Sequence, residues 1–135
     1  REVVLAAVAR WGVALQYAEE PLQRDKEVVL AAVTTDGLSL AYAALELRSD
    51  KEVVLAAVRS CGSALAQAAN FLKADKEVAL AAVRARGQAL RYVAETLRGD
   101  RQVVLAAAKT WGSVLTCASN ALRSDEAFVR EVVRA

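Results

Sequence analysis

Three kinds of residue in this chain have the type needed for chemistry: close carboxylates, two cysteines and scattered serines. Glu19 and Glu20 are adjacent, and Asp25/Glu27, Asp50/Glu52 and Asp75/Glu77 are two apart. General acid–base work needs two such groups converging on one pocket. Adjacent residues on a helix diverge, so Glu19 and Glu20 read as a solvated face. The Asp/Glu pairs fit the start of a helix, where Asp caps the free amides and Glu meets the positive end of the dipole. Calcium needs more oxygen ligands than such a short turn supplies. The chain has no histidine, so serines such as Ser63 and Ser113 lack the usual base and the usual zinc sites are excluded. Neither a Walker loop nor a G-x-G-x-x-G turn is present. The expectation is a chain that is not an enzyme and takes no metal or cofactor.

The elements that position these residues recur with a period of 25 residues. Asp25, Asp50, Asp75, Asp100 and Asp125 share one phase, and Gly12, Gly37, Gly62, Gly87 and Gly112 another. Leu5, Leu30, Leu55, Leu80 and Leu105 repeat in register, as do Leu15, Leu40, Leu65, Leu90 and Leu115. Such a period marks a stacked array in which each unit contacts mainly its neighbours. One continuous array over 1–135 is expected, with units 1–24, 25–49, 50–74, 75–99, 100–124 and a partial unit at 125–135.

Within a unit, Asp25 reads as an N-cap, residues 28–33 as a helix apolar on every side, and Gly37 as the stop. Glycine at that place is expected to take the left-handed conformation. A helix apolar all round must be buried on more than one face. A second helix of about ten residues should follow, with Leu15, Ala18 and Leu22 on one face. Pro21 should end or kink it. Ser49 and Glu52 could form a capping box in place of Asp50. Asp36-Gly37 would also suit a β-hairpin, but the alanine content and repeated cap signals favour helix. The fold class is therefore all-α: an α-solenoid of five tandem 25-residue helical hairpins plus a partial sixth. Cys61 and Cys117 lie two units apart at different repeat positions, beyond the ~7 Å Cα reach of a disulfide. Unbridged thiols fit a reducing intracellular compartment, cytoplasm or organelle interior.

The repeated pattern, DKEVVLAAV, then Gly four residues on, then AL with a small residue and a Leu before the next Asp, resembles a family of short tandem repeats of unknown function. Such repeats are found in bacteria, protists and algae. The resemblance implies an all-helical array and implies no activity. Gln102 and Ala108, and the unit after Asp125, depart from the pattern.

A net charge of +2 gives little support for nucleic acid or an anionic membrane as main partner. No apolar run approaches the roughly 20 residues of a membrane span. The absence of an initiator Met, and the incomplete units at both ends, suggest a slice of something longer. Numbering each unit from its Asp, positions 9–11, 13, 16, 17 and 20 vary over a fixed frame. The Asp edge nearly cancels in charge, whereas Arg10, Arg59, Arg84, Arg86 and Lys109 outnumber Asp36 at the Gly edge. These cations also suit helix C-termini. Tyr17, Tyr42 and Tyr92 share one position and suit packing between units. Trp and Arg are enriched in binding hot spots, so the candidate partner-binding residues are Arg10, Trp11, Arg59, Arg84, Arg86, Arg91 and Trp111. The expected function is a protein–protein interaction scaffold, in one form an accessory or structural subunit of a larger assembly. The alternative is a repeat region of a longer enzyme or effector whose catalytic domain lies elsewhere. A nucleic-acid-binding solenoid ranks last, because position 11 runs Trp, Asp, Cys, Arg, Trp with no stacking series.

Overall fold

The computed structural model describes residues 2–111, 114, 118 and 120–134. Each of the first four units has three helical pieces. In unit two, Asp25 caps α3 (Lys26–Thr35), a 3-10 helix spans Gly37–Tyr42, and a single turn, α4, spans Leu45–Arg48. Unit one repeats this with α1 (Glu2–Arg10), Gly12–Tyr17 and α2 (Glu20–Gln23). Unit three has α5 (Lys51–Ser60), Gly62–Gln67 and α6 (Asn70–Lys73), and unit four α7 (Lys76–Ala85), Gly87–Tyr92 and α8 (Glu95–Arg98). Then come α9 (Arg101–Ala108), α10 (Asn120–Arg123) and α11 (Glu126–Arg134). The long helices pack in one layer and the 3-10 helices in a second, each piece touching its counterpart in the next unit. The protein is an all-α repeat solenoid.

The core lies between the layers. Val28, Val29, Ala32 and Val33 are wholly buried, as are Val53, Val54, Ala57, Val58 and Val78, Ala79, Ala82, Val83. The third, fourth, seventh and eighth positions form one helical stripe. Leu40, Leu65 and Leu90 close the core from the other layer.

The return arm differs from one ten-residue helix. Gly37, Leu40 and Ala43 are three apart and all buried, as are Gly62, Leu65 and Ala68. A period of three is that of a 3-10 helix, not of an α-helix. In units one, two and four the side chain at position 23 donates to carbonyls of this arm. Gln23 donates to the Leu15 carbonyl at 3.0 Å. Arg48 donates to those of Ala43 and Ala41, and Arg98 to those of Val93 and Arg91. Pro21 sits in the first turn of α2, starting a helix rather than ending one, where its missing amide costs nothing. The Ser49–Glu52 box does not form. Ser49 Oγ donates instead to the Leu45 carbonyl, while Asp50 accepts from the Glu52 and Val53 amides.

The glycines also differ from expectation: none of the described ones has positive φ, and Gly112 lies outside the described residues. Reversal is achieved by the extended residue before each glycine, such as Asp36 at φ −146° and Cys61 at φ −149°. The glycine is there for space. A Cβ on Gly12, Gly37, Gly62 or Gly87 would lie 2.3, 2.2, 2.5 or 2.5 Å from the carbonyl oxygen of Ala32, Ala57, Ala82 or Ala107 in the next unit. Further stitches join the units. The Ala44, Ala69 and Ala94 amides donate to the Gln23, Arg48 and Lys73 carbonyls at 3.0, 3.1 and 3.0 Å. The Gly37 amide donates to Ser60 Oγ and the Gly87 amide to Thr110 Oγ1.

Three outcomes follow from the packing and the backbone. Gly62→Ala forces the Ala82 backbone away and should cost about 2–3 kcal/mol in urea unfolding, as overpacking does. Gly99→Ala should be neutral or stabilising by up to about 1 kcal/mol, because Ala74 already takes the same backbone angles one unit earlier. Among the described residues the buried hydroxyl of Ser39 has no hydrogen-bond partner, and Ala14, Ala64 and Ala89 hold its place in other units. Ser39→Ala should therefore raise stability by about 1 kcal/mol, relieving an unsatisfied group.

Candidate functional site

Several of the acidic residues singled out in the sequence are engaged by the frame. Asp50, Asp75, Asp100 and Asp125 each divide their two oxygens between two tasks. Asp50 Oδ1 accepts the Glu52 and Val53 amides at 2.9 and 3.3 Å, and Oδ2 meets Lys26 of the preceding unit at 3.0 Å. Lys26 also reaches Glu52 at 2.7 Å. Lys51 bridges Asp75 and Glu77 in the same way, Lys76 meets Asp100, and Arg101 meets Asp125. Gln102, in place of Glu, leaves Lys76 with the single ion pair. Elsewhere Glu20 pairs with Arg24 across one helical turn. Among the described residues no three metal-ligating side chains gather. Cys61 is a free, half-exposed thiol, and Cys117 lies outside the described residues.

The Gly edge is a row of exposed corners. Trp11 is 66 % exposed with the Arg10 guanidinium 5.7 Å over its ring, a cation–π pair. Asp36 turns inward on its own loop and accepts the Leu38 amide. Arg86 is exposed and its Nε donates to Gln88. Arg59, Ser60, Cys61, Gly62, Ala85 and Arg86 line a cleft of about 480 Å³ at this corner. Arg59 and Arg84 share a second cleft on the outward face of α5 and α7. Trp111 departs from the anchor role: it is only 9 % exposed and packs into the core beneath Arg91, 5.3 Å from its ring. The candidates thus divide. Arg10, Trp11, Arg59, Arg84, Arg86 and Arg91 face solvent, and Trp111 does not. The tyrosines divide too: Tyr42 packs against the core, whereas Tyr17 is exposed.

Variation at position 11 has a physical basis. Trp11, Asp36, Cys61 and Arg86 all hold extended angles, φ between −134° and −157°. Any L-residue adopts these angles, so the backbone constrains the corner without choosing its side chain. Sequence reasoning missed the clamp at position 23, which it placed in the neutral edge. The signal was there in the long hydrogen-bonding side chains Gln23, Arg48, Lys73, Arg98 and Arg123 at one fixed place.

The Asp edge gives the fold a pH dependence. Burial alone would raise the Asp50, Asp75 and Asp100 carboxyls. The lysine ahead of each, with the capped amides, outweighs it and holds them below the ordinary aspartate value. A depressed folded-state pKa adds stability above the unfolded value, lost as pH falls through the folded one. Urea midpoints should therefore hold from pH 7 to about 5 and fall below about pH 4. Asp50→Asn/Asp75→Asn should flatten that fall.

Residues 1–48 and 50–98 each match the family model described as "Domain of unknown function (DUF4116)". No curated protein and no solved structure matches the chain. Each match takes in two of the units described above, and together they cover most of the chain. No helix among the described residues is long and apolar enough to cross a membrane. The chain belongs to the DUF4116 family of domains of unknown function, whose matched segment here is a pair of consecutive 25-residue solenoid units.

Proposed function

We propose that the chain is a non-catalytic protein–protein interaction scaffold, in one form an accessory or structural subunit of a larger assembly. The observation that carries this reading is the division of labour within each unit. The frame positions are spent on the core, the stacking contacts and the Asp ladder. The positions that vary include the corner, where a constant backbone carries exposed tryptophan and arginine. An exposed Trp stacked with Arg supplies rigid, amphipathic contact area of the kind that dominates binding energy. The cap carboxylates Asp50, Asp75 and Asp100 are each engaged by backbone amides and a lysine of the preceding unit, which supports the non-catalytic reading.

The test is affinity capture with mass spectrometry, using the chain and an Arg84→Glu/Arg86→Glu variant. The variant should lose the captured proteins by tenfold or more, about 1.4 kcal/mol or above. Its helical signal and melting temperature should stay nearly unchanged, because exposed substitutions shift stability by only about 0.5 kcal/mol. Equal capture by both forms would remove the corner from the proposal. Turnover by the purified chain of a substrate it captures would remove the non-catalytic reading.

A further inference from the structure

The outward face of the long helices carries a second row that extends beyond the corner. Position 9 is Arg59 in α5, Arg84 in α7, Lys109 at the end of α9 and Arg134 at the end of α11. All four are exposed, and among the described residues none of them forms an ion pair. Units one and two have Ala9 and Thr34 instead, so the row is confined to the later units.

The row borders two adjoining clefts. Arg59 and Arg84 line the first, of about 360 Å³, with Glu77, Ala81 and Ala85. Arg84 also lines the second, of about 450 Å³, with Lys109 and Arg134 above Leu80, Leu105 and Ala106. Leu80, Ala81, Leu105 and Ala106 are half-buried and give both clefts an apolar floor. Glu77 is held by Lys51 at 3.3 Å. Gln102 and Glu131 stand at the rim of the second cleft, so cations prevail along the groove.

We propose that this groove binds an acidic amphipathic helix of a partner protein, lying along the stacking direction. The inference rests on the scaffold reading for its class of partner and moves the contact to the helix face. Spacing argues for a helix. Packed helices lie about 8–10 Å apart, which sets the step from Arg59 on α5 to Arg84 on α7 and Lys109 at the end of α9. Carboxylates seven residues apart on a helix share one face at about 10.5 Å. An extended strand repeats its face about every 6.6 Å, out of step with the row. A nucleic-acid strand places a charge about every 3.4 Å, out of step with the row. Between its carboxylates the helix turns leucines or alanines onto Leu80 and Leu105, the helix-in-groove mode of recognition.

The experiment is fluorescence anisotropy with a labelled, leucine- and alanine-rich helical peptide carrying glutamates seven residues apart. An isomer of the same composition has its glutamates spread around the helix. The first peptide should bind at least about tenfold tighter than the isomer, a difference of about 1.4 kcal/mol. Arg84→Glu and Lys109→Glu should each weaken it by about tenfold or more, whereas Arg86→Glu at the corner changes it less than about twofold. Melting temperatures of the three variants should match the parent. Equal binding of the isomer, no binding of either peptide, or displacement of the peptide by single-stranded RNA with the RNA lost in Arg84→Glu would each overturn the proposal. If capture of a partner still depends on Arg86 while the peptide fails, the groove is wrong and the scaffold stands. If both fail, both readings fall.

Discussion

The contact on which the structure depends is the one between each described corner glycine and a carbonyl of the next unit. Ala32, Ala57, Ala82 and Ala107 present that oxygen, and a methyl group could not be interposed at any of the four places. The same oxygens already accept the Asp36, Cys61, Arg86 and Trp111 amides at 2.8–3.0 Å. They are therefore satisfied within their own unit and can be approached by a bare Cα at no hydrogen-bonding cost. With that distance set, the wholly buried valines and alanines of α3, α5 and α7 join one core.

The second constraint acts at the opposite edge and uses charge. One aspartate caps its own helix and receives the lysine of the preceding unit, so local helix formation and stacking draw on the same side chain. Exposed pairs of this kind are individually worth little. Their value is in register: a slip would set Lys26 against a neutral neighbour and leave the cap oxygen alone. Backbone bonds such as Ala44 to Gln23 fix the same register from the return arm.

Between these two edges the frame consumes most of the apolar and acidic residues. What it leaves free is geometrically simple: one extended corner residue per unit, and one outward position near the end of each long helix. Neither place asks more of a side chain than that it tolerate solvent. A solenoid of this kind can thus change its surface chemistry unit by unit while its backbone stays constant. The cations at position 9, absent from the first two units and present from the third, illustrate such a change.

The sequence by itself determined the repeat, the helical class, the N-caps and the buried stripe. These depend on residues within one turn of each other, such as Asp50 with the Val53 amide, or on a 25-residue period that any stacking must honour. It also contained the three-residue spacing of Gly37, Leu40 and Ala43. That spacing is compatible with the start of an α-helical face, so it did not by itself separate the two helix types. The tertiary structure decided the rest. The 3-10 helices stack against their neighbouring arms, and Arg48 and Arg98 tie down the ends of two of them. The role of glycine was set by a carbonyl twenty residues away in the next unit, which no local propensity reports. The different fates of Trp11 and Trp111, identical in repeat position, were set by their surroundings. Trp111 has Arg91 of the preceding arm across its ring, whereas Trp11 meets only its own neighbour Arg10 by such a contact and stays in solvent.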